Sequence, residues 1–293
     1  IFKDVDFSGY DIQKKKLDLE QELFAKLDAF NPDIVGISAL SDEVFISFKI
    51  SEIVKKWNRR AIVIWGNKAA TMSPEKILGC NDVDYLCLGE GVECMPEFVA
   101  CVSQGGEPQK IKNIAYRDDT GKVIKNKLRP YYQNLDALPY FDWSVFDKRQ
   151  FLKPYDGKVY TGGDHMIYWG CPNLCTYCIN SSYRRLYGSK AGRFLRCYSV
   201  NRIIEELKYL VDKWGIQFFK FHDEDFCLKP LEYFKDLAQR YKEEIGVPFT
   251  IMANARNVNR EKVELLKKMN CVSATLGIET GNQKLRKDVL KRI

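Results

Sequence analysis

The sequence has no long hydrophobic run. Its longest apolar stretches, such as Ala61 to Trp65, have the length of a strand and fall well short of the roughly 18 residues that a membrane-spanning helix needs. We therefore expect no transmembrane helix and a cytoplasmic protein. Glycine and proline are few, with 19 and 10 among 293 residues, and 29% of the residues are charged. This composition excludes a collagen, a coiled coil and a disordered chain, and the 45% hydrophobic content supplies a core for one large domain or two ordinary ones.

Blocks of five like charges are also absent, although charge is divided unevenly along the chain. Residues 1–108 carry a net charge of −6 and residues 109–293 a net charge of +13, which together make the +7 of the whole chain. This division suggests two modules with different partners. A basic module can bind nucleic acid or a polyanion, but charges dispersed at helical spacing favour an ordinary solvated surface. We therefore do not expect a nucleic-acid partner.

Residues 1–108 are predicted to alternate between strands and helices. Short apolar runs indicate buried strands at 33–38, 61–65 and 83–88, and helical periodicity spans 44–57. This alternation predicts an α/β domain with a doubly wound parallel sheet, Rossmann-like or flavodoxin-like, which we expect to be incomplete at its N-terminus.

Ligands of doubly wound sheets bind at the C-terminal ends of the strands. Those ends lead here into three turns, Ser38–Ser41, Gly66–Lys68 and Gly89–Glu93. The GxGxxG pattern is absent, so a dinucleotide is not the expected ligand.

Residues 109–160 are predicted to form a hairpin followed by a linker. The turn Asp118–Gly121 between two short apolar runs is typical of a β-hairpin. The remainder holds Pro130, Pro139, Pro154 and several aromatic residues, which favours an ordered segment rich in turns.

A second strand–helix alternation fills residues 161–293. Strands are predicted at 166–169, 217–221, 248–252 and 273–277, with helices between them. This repeat predicts a TIM-type (β/α) barrel. Four strands do not close an eight-stranded barrel, so we expect a partial barrel, incomplete at its C-terminus, and interpret the chain as a fragment cut at both ends.

Three cysteines, Cys171, Cys175 and Cys178, follow the first strand of this second module. Thiolates at spacings of four and three residues can surround one face of an iron–sulfur cube. Three ligands for four irons leave one iron open, as at a catalytic metal site rather than a structural one. The alternative is a structural zinc site that adds Cys197 or His165, but zinc sites usually combine two pairs of ligands and the sequence has no second CxxC.

The CxxxCxxC motif after the first strand of a β/α barrel resembles the radical S-adenosylmethionine (SAM) enzymes. Tyr177 stands where that family carries an aromatic residue near the adenine. The segment Phe221–Phe226 resembles its acidic motif for the amino group of SAM, and Gly277–Gly281 resembles its later Gly-Ile-Glu pattern. Alternatively, the acidic residues cap a helix and Glu279 is a surface carboxylate. The resemblance implies these SAM-binding residues: Tyr177, Asp223, Glu224, Asp225, Asn254, Arg256, Gly277 and Glu279.

The first module resembles the cobalamin-binding domain of one class of radical SAM enzymes. Ser38-Ala39-Leu40 matches a Ser-x-Leu motif and Gly89–Glu93 a Gly-Glu-Gly turn, whereas Gly66-Asn67 departs from the family's Gly-Gly. The only two histidines, His165 and His222, lie outside this module, which thus offers no axial histidine to cobalt. A flavodoxin-like domain without this ligand is the alternative. The resemblance implies these cobalamin-binding residues: Ser38, Leu40, Ser41, Gly66, Asn67, Gly89, Glu90, Gly91 and Glu93.

The resemblance covers residues 30–293 and implies a radical SAM enzyme. A reduced 4Fe-4S cluster would cleave SAM to a 5′-deoxyadenosyl radical that takes hydrogen from a small-molecule substrate, with cobalamin donating a methyl group. It also implies an oxygen-sensitive protein and an electron donor such as flavodoxin or ferredoxin. Anaerobic magnesium-protoporphyrin monomethyl ester cyclases share this architecture, so oxidative ring closure is an alternative. A zinc-stabilised nucleic-acid-binding protein is the alternative from another class.

Overall fold

The computed structural model describes residues 18–292, and the chain divides into two compact units between Arg129 and Pro130. This division falls inside the segment 109–160 that the sequence assigns to a hairpin and linker. Within the described range, no helix is both long and apolar enough to cross a bilayer.

The first unit is a five-stranded sheet with helices. Its strands follow the order β1-β2-β3-β4-β5, of which the first three are parallel and the last two antiparallel. The elements are α1 (Leu19–Phe30), β1 (Ile34–Ser38), α2 (Val44–Trp57), β2 (Ile62–Gly66), α3 (Asn67–Met72), α4 (Pro74–Leu78), β3 (Tyr85–Cys87), α5 (Cys94–Ser103), β4 (Ile114–Arg117) and β5 (Val123–Lys125).

The central strand β2 explains why this sheet folds as the sequence predicts. Val63, Ile64 and Trp65 are buried, as expected for a parallel strand covered on both faces. The Trp65 indole N–H donates a 2.9 Å hydrogen bond to the Ser51 hydroxyl on α2, so its polar atom is satisfied inside the core. The hairpin β4–β5 joins the same sheet, because β4 pairs antiparallel with β3. Ala115 on β4 is fully buried in the core that also holds Val63 and Trp65.

The second unit contains the curled sheet of a half-barrel. Its strand order is β12-β11-β10-β7-β6; β7, β10, β11 and β12 run parallel, and β6 runs antiparallel to β7. The elements are β6 (Leu152–Tyr155), β7 (Lys158–His165), β8 (Tyr168–Trp169), α6 (Ile179–Tyr187), β9 (Arg196–Cys197), α7 (Val200–Trp214), β10 (Phe218–Phe221), α8 (Leu231–Glu244), β11 (Phe249–Ala253), α9 (Arg260–Lys268) and β12 (Cys271–Leu276). The expected fold class, a doubly wound domain and then a partial barrel, is confirmed.

The first barrel strand is not where the sequence places it. We expected it at 166–169, but β7 at Lys158–His165 pairs with β10, whereas β8 forms a separate two-stranded ladder with β9. Its sequence KVYTGGDH lacks an apolar run, so periodicity does not reveal it. Gly163 is required there, because a Cβ atom would lie 2.9 Å from the Phe219 ring.

Burial alternates from Phe219 to Asp225, across the end of β10, although Phe218 before them is buried as well. Phe219 and Phe221 are buried in the core that also holds side chains of α7 and α8, whereas Lys220 between them is exposed. Full burial of such an aromatic side chain contributes about 1.5–3 kcal/mol. Past the strand end the same period of two makes Asp223 and Asp225 buried and leaves Glu224 exposed.

Candidate functional site

The three cysteines lie in a tight loop between β8 and α6. Gly170 starts the loop with a φ of 91°, and a side chain there would collide with the carbonyl oxygen of Phe194. The Cys178 N–H donates to the Cys175 carbonyl oxygen at 3.1 Å, and the Ser181 hydroxyl donates to the same oxygen at 2.8 Å. The loop is therefore closed on itself before α6 begins.

All three thiols are free of disulfides. Burial raises the pKa of the Cys171 thiol; a backbone hydrogen bond at Asn173 acts in the opposite direction, and the nearby Glu224 carboxylate adds to the rise. A bound metal cluster reverses this balance, because its positive charge deprotonates a coordinating thiol. The donor set therefore fits an iron–sulfur cluster, whose irons take thiolate ligands.

The zinc alternative finds little support in the geometry. Among residues 18–292, no three His, Cys, Asp or Glu side chains converge as they must around one ion. The Cys197 thiol instead contacts the carbonyl oxygens of Ile167 and Tyr198 at 3.3 and 3.0 Å. The His165 ring contacts backbone as well, with Nδ1 lying 2.8 Å from the carbonyl oxygen of Met166. A four-iron cluster does not require its three thiolates to meet at a single ion, since each thiolate binds a different iron.

Asp223 joins the acidic motif to the strand that leads into the cysteine loop. Its buried carboxylate accepts hydrogen bonds from the backbone N–H groups of Ile167, at 3.0 Å, and Tyr168, at 2.9 Å. Burial raises the pKa of Asp223 to about 7, although the two N–H groups act in the opposite direction. This residue therefore positions backbone, and Glu224 is the exposed carboxylate of the motif.

Asp225 is buried as well and organises the end of the next strand. Its carboxylate accepts hydrogen bonds from the N–H of Cys227 at 3.2 Å, the N–H of Asn254 at 3.1 Å and the side-chain amide of Asn257 at 2.5 Å. It also caps a short 3₁₀ turn, as the helix-capping alternative anticipated. The Asn254 side chain accepts from the N–H of Arg256 at 3.1 Å, which leaves Arg256 exposed at the strand end.

Arg292 brings together two motifs that are far apart in the sequence. Its guanidinium donates to the Tyr177 hydroxyl at 3.1 Å and to the Gly277 carbonyl oxygen at 2.9 Å, and it lies 3.7 Å from the Glu279 carboxylate. Glu279 has a φ of 66°, an uncommon conformation for a residue other than glycine. The aromatic residue of the cysteine loop and the Gly-Ile-Glu turn therefore form one site.

In the first unit, a cavity of about 260 Å³ opens at the C-terminal ends of β1, β2 and β3. The Asn67 side chain donates a 3.1 Å hydrogen bond to the Ser38 hydroxyl across two strand ends. No atom lies within 4 Å of the position that a Cβ on Gly66 would take, so the strand end faces open space. Five predicted cobalamin-binding residues line the cavity: Ser38, Gly66, Asn67, Gly89 and Gly91. Four do not: Leu40, Ser41, Glu90 and Glu93.

Two family models match the chain. The B12 binding domain matches residues 3–99, and the radical SAM superfamily matches residues 167–293. This chain contains a B12-binding domain followed by a radical SAM domain. The two matches cover the cavity at the strand ends and the cysteine loop, respectively.

Named relatives agree with this assignment. An uncharacterized methyltransferase of Pyrococcus horikoshii is 29% identical over 90% of this chain and 55% of its own length. The anaerobic magnesium-protoporphyrin IX monomethyl ester cyclase of Rubrivivax gelatinosus is 23% identical over 93% and 48%. The present chain thus spans about half the length of the curated relatives it matches.

A solved structure shares the fold. TsrM, a radical SAM methyltransferase from Kitasatospora setae, superposes with a TM-score of 0.71 at 14% identity, covering 92% of this chain and 52% of that one. Because it covers 92% of this chain, the likeness extends over both of its domains.

Sequence reasoning missed several residues of the radical SAM domain. Arg292 carries no local pattern that points to Tyr177, 115 positions away. The His222 ring lies 2.7 Å from Asp164, whose other oxygen pairs with Lys153 at 2.5 Å, on the sheet face that also carries exposed Lys220. Burial raises the pKa of Asp164, but hydrogen bonds from His222 and Lys153 outweigh it and hold that pKa below its usual value. The period-two alternation of β10 was the available signal for this face.

Proposed function

We propose that this chain forms the cofactor-binding part of a radical SAM methyltransferase that uses a 4Fe-4S cluster, SAM and cobalamin. The observation that carries the proposal is the hydrogen bond that joins the acidic motif to the cysteine loop. Buried Asp223 accepts from the N–H of Tyr168, three residues before Cys171, and Glu224 is the exposed carboxylate of the motif. A carboxylate beside an open iron suits the amino group of SAM.

The cysteines Cys171, Cys175 and Cys178 would hold the cluster. When bound, the reduced cluster supplies the electron that cleaves SAM, and cobalamin carries the methyl group. The protein's own task is alignment, which can supply several kcal/mol of a barrier. Asp223 fixes the entry to the loop, and Asp225 fixes the third strand end beside it. We assign no catalytic residue beyond the residues that would bind the cofactors.

The remaining SAM contacts would come from two neighbouring strand ends. Asn254 and Arg256 follow β11, and Arg256 is exposed there. Tyr177 offers its ring for the adenine, with 49% of the residue exposed, and Arg292 holds its hydroxyl. Gly277 and Glu279 complete this side of the site.

The B12-binding domain would cradle one edge of cobalamin at the ends of β1, β2 and β3. Small residues keep the cavity open there, since neither Gly36 nor Gly66 has an atom near a potential Cβ. A cavity of about 260 Å³ accepts only part of a corrin, so this domain supplies one wall of the site. The other walls of the cobalamin site and the residues that select the substrate belong to the proposal for the whole protein and are not assigned to residues of this domain.

Product analysis tests this function. The chain is reconstituted anaerobically with iron, sulfide and cobalamin, reduced with a titanium(III) chelate and given SAM. A methyltransferase yields both 5′-deoxyadenosine and S-adenosylhomocysteine, the first from reductive cleavage of SAM and the second from transfer of the methyl group of SAM to the reduced cobalamin. Cys175→Ala removes a proposed cluster ligand and should abolish 5′-deoxyadenosine, whereas Cys271→Ala, on β12, is the matched control. A reconstituted wild type that forms neither product contradicts the proposal.

The cyclase remains the second candidate, because a curated cyclase is 23% identical over 93% of this chain. Oxidative ring closure consumes no methyl group, so it predicts 5′-deoxyadenosine without S-adenosylhomocysteine. We further propose a cytoplasmic location and a small-molecule substrate. An external donor of the flavodoxin or ferredoxin class would reduce the cluster by one electron.

A further inference from the structure

The cysteine loop lies within the longest acid-free stretch of the chain. Residues 165–204 contain no Asp or Glu and six Lys or Arg, although acidic residues make up 39 of the 293. In the described structure the stretch spans the cysteine loop, α6 and the loop that follows, where Arg185, Lys190 and Arg193 are exposed. The segment that contains the cysteine loop is therefore positively charged.

Contacts make the cysteine loop and this basic segment one surface. The Arg184 guanidinium donates a 2.9 Å hydrogen bond to the carbonyl oxygen of Pro172, inside the loop. Leu174, which stands between two of the proposed ligands, is 56% exposed. A cavity of about 600 Å³ is lined by Leu174 together with Arg184 and Arg185. The cysteine loop thus presents an exposed apolar side chain, Leu174, next to the cationic side chains of Arg184 and Arg185.

We propose that this basic face, defined by Leu174, Arg184, Arg185, Lys190 and Arg193, docks a small acidic electron-transfer protein of the flavodoxin or ferredoxin class. The inference rests on the proposed function, because it needs a cluster in the loop. The step is one electron: the reduced donor is oxidised, the cluster is reduced, and no bond forms. Exposure of Leu174 lets a donor come close to the cluster.

The chemistry of the face fits this partner better than nucleic acid. Transient redox partners use small interfaces of under about 1,200 Å², in which charge steers the encounter. Exposed leucines, Leu174 and Leu186, beside the cationic side chains of Arg184 and Arg185 match that pattern. The matched acidic partner gains association rate from opposite charge, which can reach about 10–10³-fold at low salt.

The test compares two charge-reversed variants with equal net charge. Arg185→Glu/Lys190→Glu alters the basic face, and Lys267→Glu/Lys268→Glu alters exposed lysines at the end of α9. Stopped-flow absorbance follows reduction of the reconstituted cluster by a purified acidic flavodoxin at several salt concentrations. We expect the first variant to lose about tenfold or more of the second-order rate constant at low salt, and the control to stay within about twofold. Reduction by dithionite, a small reagent that needs no docking surface, should be equally fast in all three proteins.

Other results would overturn the proposal in distinguishable ways. Equal flavodoxin rates in both variants, with a normal dithionite rate, would remove the docking face and leave the proposed function intact. Loss of single-stranded RNA binding in the first variant, with flavodoxin rates unchanged, would assign the face to nucleic acid instead. Failure of the wild type to take up iron would overturn the docking proposal and the proposed function together.

Discussion

The carboxylate of Asp223 accepts a 2.9 Å hydrogen bond from the backbone N–H of Tyr168, three residues before the first cysteine of the loop. The bond spans 55 positions of sequence and lies in the buried interior. It joins the end of β10 to β8, so the acidic motif and the cysteine loop keep a fixed relation.

Asp223 gives a first prediction, on pH and stability. Because burial raises its pKa from 3.8 to about 7, the folded chain holds a proton that the unfolded chain releases. The free energy of unfolding should therefore fall as pH rises between these two values and then level off. Denaturant titrations of the apo chain across this window should show the slope in wild type and its loss in Asp223→Asn. Asp164 and Glu206, whose pKa values are lowered, give the opposite slope below their ordinary values of 3.8 and 4.5, so the slope of Asp223 is read between pH 4.5 and about 7. An equal slope in both proteins would contradict the assignment.

The two carboxylates that follow should separate stability from ligand binding. Asp225→Ala leaves two N–H donors and the Asn257 amide without a partner, so it should cost about 2–4 kcal/mol of unfolding free energy. Glu224→Gln changes an exposed side chain and should alter stability by less than about 0.5 kcal/mol. It should instead raise the Kd for SAM about tenfold or more, through loss of a charge-assisted hydrogen bond. Denaturation and equilibrium dialysis measure the two effects, and the reverse assignment is the outcome that would refute this division.

Arg292 should affect SAM binding without affecting the cluster. Arg292→Met removes the bonds to Tyr177 and Gly277, so the adenine-side residues lose their alignment. At about 0.5–1.5 kcal/mol per hydrogen bond, the Kd for SAM should rise up to about tenfold. Iron content should equal that of wild type. Lys291→Met, at the exposed neighbouring position, is the control and should bind SAM normally. If both variants bind SAM equally well, Arg292 has no positioning role.

Gly66 gives a selective block of the B12-binding domain. Its backbone is extended, with a φ of −131°, so other residues are tolerated, and a side chain there would enter the open cavity. Gly66→Phe should abolish retention of cobalamin after desalting, read from its visible absorption, while iron content stays unchanged. Gly66→Ala adds one methyl group and should retain most binding. Cobalamin retained by the phenylalanine variant would move the site elsewhere.

The sequence predicts the fold best where strands are apolar. The runs at 33–38 and 83–88 contain β1 and β3, and the run at 61–65 holds all of β2 except Gly66, because buried parallel strands need continuous apolar residues. The strand β7 escapes, since Gly162 and Gly163 serve close packing rather than hydrophobic burial. That omission displaced the predicted start of the barrel by one short strand.

The sequence predicts which segments form the site, but not which role each side chain has in it. The cysteine spacing and the acidic motif identify the right segments, but not which carboxylates face inward. The alternation of Phe219, Lys220 and Phe221 would have separated Glu224 from its neighbours if continued past the strand. Arg292 depends on a tertiary contact that no local pattern encodes.

The central claim is that the cysteine loop holds a four-iron cluster. The most direct measurement is iron, sulfide and zinc per chain after anaerobic reconstitution of wild type, Cys175→Ala and Cys197→Ala. We predict about four iron and four sulfide in wild type and in Cys197→Ala, and loss of both in Cys175→Ala. One zinc per chain that depends on Cys197, with no uptake of iron, would contradict the account.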